Sequence, residues 1–306
     1  MTNHLSQTIA VSGATGLVGS ALVPALECAG HKVRRLVRRP VENAGHEIFW
    51  NPSAGEIDAV ALEGTDAVIH LGGANVAKQR WTAAYKQELR DSRIGSTALL
   101  ARTIASMQQK PRVLITASAV GYYGVRGDEP LDEESPGGDG FLAELCRDWE
   151  AANQPAWEAG VRVCQMRIGV VLSPKGGALK KMLPLFRNGL GGPISGGKQF
   201  VSWISLPDVV TTLQFAIDHD ALNGAVNSTA PSPVTNREFA QALGRQLGRA
   251  ARVPTPAFAL RMMVGREMAE ELLLGGAKVL PRKLEAEGFA FEHPTIEQAL
   301  AAVLGA

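Results

Sequence analysis

Short β-branched and aliphatic runs alternate, from Thr8 to Val171, with longer segments whose apolar positions recur every three or four residues. TIAVSG, KVRRLV, AVIHLGG, RVLITAS and VRVCQMRIGVVL have the length and residue types of strands. GSALVPALECAG and SRIGSTALLARTIASM have the helical period and read as the helices that cross between strands. The alternation predicts an α/β fold, a parallel sheet covered by helices on both faces.

The rhythm changes after Val171. SPKGGALKKMLPLFRNGLGGPISGGKQF is rich in Gly, Pro and Lys and reads as a loop-rich excursion, after which SWISLPDVVTTLQFAIDHD resumes a helical pattern. From about Arg252, the pieces FALRMMVG, AEELLLGG and TIEQALAAVLGA are helix-like and lack intervening strands. We therefore expect residues 1–171 and 201–232 to form the sheet domain, and residues 172–200 and 233–306 a smaller, helix-rich lobe.

Composition narrows the function classes. With 306 residues, 45% of them hydrophobic, the chain can bury a substantial core. Its 31 Lys and Arg against 30 Asp and Glu leave no global field for nucleic acid or an anionic membrane, so neither is expected as a partner. Cys28, Cys146 and Cys164 are far apart, each in a stretch that reads as buried, and the six histidines have no metal spacing. Reduced thiols, the absence of a signal-like start and the absence of an apolar run of spanning length imply a cytoplasmic protein without metal. Its oligomeric state, monomer or homodimer, is left open.

Gly13, Gly16 and Gly19 form G-x-x-G-x-x-G between an apolar strand and a helix. In that context Gly13 permits the tight turn, Gly16 lets a pyrophosphate approach the backbone, and Gly19 allows close packing of the helix. The helix N-terminus then offers free N–H groups to the anion. Thr15 and Leu17, on either side of Gly16, belong to the same expected cofactor contact.

An adenosine-ribose reader should follow at the end of the second strand. No acid occurs between Glu27 and Glu42; HKVRRLVRRP supplies Arg34, Arg35, Arg38 and Arg39 instead. A guanidinium suits a 2′-phosphate through paired, charge-assisted hydrogen bonds, which favours NADP(H) over NAD(H). Arg38, just past Leu36-Val37, is the first candidate and Arg39 the second. The alternative is a strand end whose arginines meet only solvent.

Given the glycine turn, HLGGA at 70–74, ASAVGYYG at 117–124 and RIGVVL at 167–172, the chain resembles the short-chain dehydrogenase/reductase superfamily, extended type. RW at 80–81, SRI at 92–94, CRDWE at 146–150, SWI at 202–204 and KLEAEGFAFEHPTIEQAL narrow the likeness. They resemble an atypical "epimerase family" group with a C-terminal domain of unassigned function. The resemblance implies a Rossmann doubly wound sheet over roughly residues 8–230. It also implies a cofactor loop at Leu71, Gly72, Gly73 and Ala74, and a Ser118 that bonds the reacting oxygen. Tyr122 and Tyr123 would border the substrate. Arg167 is expected at the cofactor, and Gln199 and Trp203 at the substrate pocket.

The superfamily's usual proton carrier is a Tyr-x-x-x-Lys pair on one helix, and no tyrosine here has a lysine four residues on. With Glu150 at the usual downstream glutamate, Leu142 stands in the tyrosine position and Cys146 in the lysine position; neither can replace its counterpart. Tyr122 or Tyr123 is the remaining phenol, with structural filling as the rival role. Ser118 has a turn-capping alternative, His70 reads as a satisfied core imidazole, and Asp208 reads as the cap of the following helix. Two functions stay open. One is an NADP(H)-dependent oxidoreductase or nucleoside-diphosphate-sugar epimerase-like enzyme acting on an unknown small molecule through a non-standard site. The other is an NADP(H)-dependent binding or regulatory protein without turnover.

Overall fold

The computed structural model describes residues 6–305. Eight strands form the main sheet: β1 (Thr8–Ser12), β2 (Lys32–Val37), β3 (Glu47–Asn51), β4 (Glu56–Ile57), β5 (Ala67–His70), β6 (Val113–Ala119), β7 (Arg162–Ile168) and β8 (Gly224–Ser228). Their spatial order is β8-β7-β6-β5-β1-β2-β3-β4. Every neighbouring pair is parallel except β3 with β4. The chain therefore winds outward from β1 in both directions, and the crevice between β1 and β5 is the switch point at which such sheets bind ligands.

Side chains alternate across the sheet and divide the core into two layers. Ile9, Val11, Ile69, Ile115 and Cys164 meet the Gly19–Cys28 helix through Leu22 and Leu26, and the Leu206–Asp218 helix through Leu213 and Ile217. Ala10, Val68, Leu114 and Val163 face the opposite way, onto Leu100, Ala101 and Ile104 of the Ser96–Ser106 helix. Central strands buried on both faces need runs of consecutive hydrophobic residues, as IAV of β1 and AVI of β5 supply.

A third cluster gathers apolar residues of the stretches expected in the smaller lobe, and takes in Trp203 and Ala230 from the stretch expected in the sheet domain. Leu179, Leu183 and Phe186 of the Gly177–Arg187 helix pack with Phe239 and Leu243, and with Ile296 and Leu300 near the end of the chain. The stretch expected as a loop-rich excursion thus contains an eleven-residue helix. Its apolar positions, four and then three residues apart, are the helical stripe that the surrounding Gly, Pro and Lys obscured. Cys28 also departs from expectation: it is exposed, while Cys146 and Cys164 are buried and all three are free.

Candidate functional site

The glycine turn lies against the end of β5. Gly13 has φ +69°, and a Cβ there would stand 2.8 Å from the backbone carbon of Leu71. A Cβ on Gly19 would approach the Gly13 carbonyl oxygen to 2.2 Å, so this position is fixed by backbone contact. Gly16 differs. Its N–H donates to the Gly13 carbonyl at 2.9 Å, and an added Cβ would meet only that oxygen, at 3.2 Å, on an exposed surface. Two glycines make the turn and the third leaves its outer side open to a ligand. Thr15 is exposed beside it, whereas Leu17 leans on the Gly176-Gly177 backbone turn of the lobe.

The four arginines of the second strand have different fates. Arg34 donates to the carbonyls of Ala61 and Ala44, and Arg35 pairs with Glu27. Arg39 holds Glu47 at 2.5 Å and Glu42 at 3.2 Å; its hydrogen bond and the Glu42 and Asn43 N–H groups keep the Glu47 carboxyl below its usual range. Arg38 is exposed and has no hydrogen bond or ion pair among the described residues. Because Arg35 pairs with Val11 in the parallel register, Arg38 emerges at the carboxyl end of β2, beside the glycine turn. Arg39, expected as a second phosphate ligand, is thus already engaged by carboxylates.

The loop after β5 is held from below. Arg93 donates to the Ala74 carbonyl at 2.9 Å, its guanidinium carbon lies 3.3 Å from a Cβ built on Gly73, and Ser92 Oγ accepts the Ala74 N–H at 3.0 Å. Both residues sit in a single wide turn, Asp91–Gly95, that aims them at the loop. His70 is a satisfied core imidazole, as expected: Nδ1 bonds Ser12 Oγ at 2.5 Å and Nε2 bonds Ser96 Oγ at 3.0 Å. Burial lowers its pKa to about 4, so the ring is neutral.

At the carboxyl ends of β6 and β7, Ser118, Glu150 and Arg167 form one buried unit. Ser118 Oγ donates to Glu150 Oε1 at 2.6 Å, and Arg167 grips the same carboxylate through Nε at 2.9 Å and Nη2 at 2.8 Å. Arg167 Nη1 donates to Tyr123 Oη at 3.0 Å, and its guanidinium lies 3.4 Å from the Tyr122 ring centroid. The donors of Arg167, expected at the cofactor, therefore point into the protein.

Tyr123 is corrected from a candidate acid to a structural residue. It is wholly buried, its hydroxyl lies within 2.8 Å of both the Asp132 carbonyl and Asn227 Oδ1, and burial pushes its pKa up to about 12. Tyr122 is half-buried and its hydroxyl has no partner among the described residues. On the Phe141–Ala151 helix, Leu142 and Cys146 face Gly121, in the turn between Ser118 and the two tyrosines. Cys146 is buried, and burial raises its pKa to about 12.

Two pocket expectations change. Trp203 is fully buried in the lobe core, with Nε1 donating to the Ser232 carbonyl, so it cannot line a pocket. The Gln199 amide donates to the Ile194 and Leu273 carbonyls and ties two lobe segments together. Asp208 is corrected as well. The cap of its helix is Ser205, while the Asp208 carboxylate accepts the N–H groups of Glu292 at 2.7 Å and His293 at 3.1 Å, anchoring the chain's tail.

Sequence reasoning missed Glu271. Its two oxygens accept the N–H groups of Phe141 at 3.0 Å and Leu142 at 2.8 Å, capping the helix that carries Cys146 and Glu150. Gly140, φ +100°, leaves room for that carboxylate, whose nearest atom would be 2.9 Å from an added Cβ. A cap supplied from 130 residues away leaves no local motif.

A family model described as NAD dependent epimerase/dehydratase family matches residues 9–227, and one described as a domain of unknown function, DUF1731, matches residues 255–303. The chain is 50% identical over 292 residues to the epimerase family protein MT2273 of Mycobacterium tuberculosis, covering 95% of this chain and 96% of that one. The crystal structure of human epimerase family protein SDR39U1 with NADPH superposes with a TM-score of 0.89 at 36% identity, over 97% of this chain and 99% of that one. A nucleoside-diphosphate sugar epimerase from Corynebacterium glutamicum gives 0.80 at 37% identity, over 98% of this chain and 59% of that one. A match over that span, on a sheet wound in this order, leads to one conclusion: the chain belongs to the NAD dependent epimerase/dehydratase family.

Proposed function

We propose that the protein binds NADP(H) and is an oxidoreductase- or epimerase-like enzyme whose proton-handling group differs from the usual Tyr and Lys. Arg38 carries the reading, because an exposed guanidinium with no acidic partner at the carboxyl end of β2, beside the glycine turn, supports a role in holding the 2′-phosphate of NADP(H). The human relative crystallised with NADPH supports the same choice. The residues fit the cofactor: Gly13 lets the turn pack on the Leu71 backbone, and Gly16 leaves the outer face of that turn open for a pyrophosphate.

Bound nicotinamide would supply or accept hydride. Gly13, Gly16 and the 71–74 loop would hold the nucleotide, and Arg38 would select its phosphate. Tyr122, with its hydroxyl unpaired and its ring fixed against Arg167, is the chain's group for giving or taking a proton at Oη. Ser118 would hold the reacting oxygen while Glu150 and Arg167 fix its rotamer. No helix among the described residues is long and apolar enough to cross a membrane. The three free cysteines support a cytoplasmic location.

A second reading, cofactor binding without turnover, is favoured by Leu142 and Cys146 at the positions of the absent pair. Titration of NADPH followed by fluorescence, then a stopped-flow search for its oxidation over sugar nucleotides, ketones and quinones, separates the two. Oxidation that is lost in Tyr122→Phe supports the enzyme. Binding without oxidation supports the second reading, and no binding removes both.

A further inference from the structure

Two stretches of this nearly neutral chain contain no acid: none lies between Glu158 and Asp208, and none between Glu238 and Glu267. The fold zips them together. Val253 N–H donates to the Gly191 carbonyl at 3.3 Å, Thr255 N–H to Pro193 at 3.0 Å, Ser195 N–H to Thr255 at 2.8 Å, and Arg249 Nε to the Arg187 carbonyl at 3.0 Å. Segments 175–198 and 245–266 each bring five Lys or Arg residues. Lys180, Arg187, Arg249, Arg252 and Arg266 are exposed and have no acidic partner among the described residues.

The same surface exposes large apolar side chains. Leu185, Leu190, Val253, Phe258, Met262 and Met263 range from 47% exposed at Val253 to 69% at Met262, and they are six of the ten exposed large hydrophobics of the described chain. Phe258 and Met262 are one turn apart on the Ala257–Val264 helix, which buries only Leu260. Leu190 and Val253 flank the zipped backbone, and Leu190 N–H bonds the Leu185 carbonyl. A monomeric soluble surface seldom concentrates apolar side chains in this way.

We propose that this face of the lobe docks on a bilayer of anionic phospholipid. Cations without acidic partners are attracted to anionic headgroups, while Phe, Leu and Met side chains enter the headgroup and acyl boundary. A second copy of the chain fits poorly, because a two-fold contact centred here would bring the unpaired cations against their own duplicates. Single-stranded nucleic acid fits poorly too, since Phe258 is the only exposed aromatic in the patch and bases need stacking platforms. The expectation of no membrane partner rested on total charge, which hides a local imbalance created by folding.

Docking would also place the nucleotide site near the interface. Leu17 of the glycine turn packs on Gly176-Gly177, where the Gly177–Arg187 helix begins, and Arg80, downstream of the 71–74 loop, donates to the Met262 and Met263 carbonyls.

The test is co-sedimentation of the full chain with vesicles of phosphatidylcholine alone or mixed equally with phosphatidylglycerol. We expect binding only to the mixed vesicles, weakened by salt. Arg187→Glu with Arg252→Glu should reduce partitioning by about tenfold or more, and Phe258→Ser with Met262→Ser should reduce it comparably. Every substituted side chain is exposed, and unchanged thermal melting and NADPH titration of the variants establish that fold and nucleotide site are intact. Failure to bind mixed vesicles, equal binding to both vesicle types, or binding unaffected by either double variant overturns the proposal. So does a stable dimer that the Phe258→Ser and Met262→Ser pair dissociates, which would assign the face to a second copy. None of these results bears on whether NADPH binds.

Discussion

Glu150 and Arg167 meet at two points in the protein interior, Nε to Oε1 at 2.9 Å and Nη2 to Oε2 at 2.8 Å, with both side chains nearly excluded from water. Removing one member leaves the other charged and unpaired. Glu150→Gln should therefore lower unfolding stability by roughly 3 kcal/mol or more, measured by urea denaturation. It also loosens Ser118, whose hydroxyl donates to the same carboxylate. A loss below about 1 kcal/mol would show that the pair does not hold this site together.

Arg38 should discriminate nucleotides. Arg38→Ala is expected to weaken NADPH by about ten- to a hundredfold, the worth of a lost charged hydrogen bond, and to leave NADH nearly unchanged. Arg39→Ala should instead release Glu47 and Glu42, with less effect on the preference for NADPH. Equal losses of NADPH and NADH in Arg38→Ala would move the phosphate site elsewhere.

The glycines separate by what surrounds them. Gly19→Ala forces a methyl to within 2.2 Å of the Gly13 carbonyl oxygen and should destabilise the fold by about 1 to 3 kcal/mol. Gly16→Ala meets only one oxygen, at 3.2 Å, and should melt like the parent while losing most nucleotide affinity. Calorimetry with and without NADPH distinguishes them, and a Gly16→Ala variant that binds normally would refute the assigned role of the open side.

His70 gives stability a pH dependence. Its folded pKa, lowered by burial to about 4 from 6.5, means that the unfolded chain takes up the proton first as pH falls. The neutral ring's contribution is complete above pH 6.5 and is lost between there and about 4, on the order of 3 kcal/mol in all. His70→Asn should flatten that limb of the stability profile, and an unchanged slope would mean that another group dominates it.

Glu271 links the lobe to the helix opposite Ser118. Glu271→Ala should cost about 1 to 2 kcal/mol and speed amide exchange at Phe141 and Leu142, because both N–H groups lose their acceptor. Exchange left unchanged there would show that the cap is dispensable.

Much of the fold was readable along the chain, with failures at particular places. KVRRLV became β2 residue for residue, its Val33, Leu36 and Val37 carrying the strand signal through the intervening arginines. β8, GAVNS, went unnoticed because its Asn227 and Ser228 are polar yet wholly buried. Asn227 is satisfied by Tyr123 and by the Leu280 carbonyl, partners far off in sequence. Trp203 looked like a pocket residue from its motif and proved to be the lobe's core, because nothing local tells a large aromatic which way it will face.

Order along the chain was enough to set the strand-and-helix alternation, the glycine turn and the missing Tyr and Lys, since each depends on residues within a few turns of one another. Folding settled which arginine is left unpaired, which carboxylate holds Ser118, which residue caps the helix opposite it, and that two acid-free stretches share one surface. Charges and hydrogen-bonding groups act over a few ångströms of space, and groups separated by a hundred residues come within that reach only when the sheet and the lobe have packed.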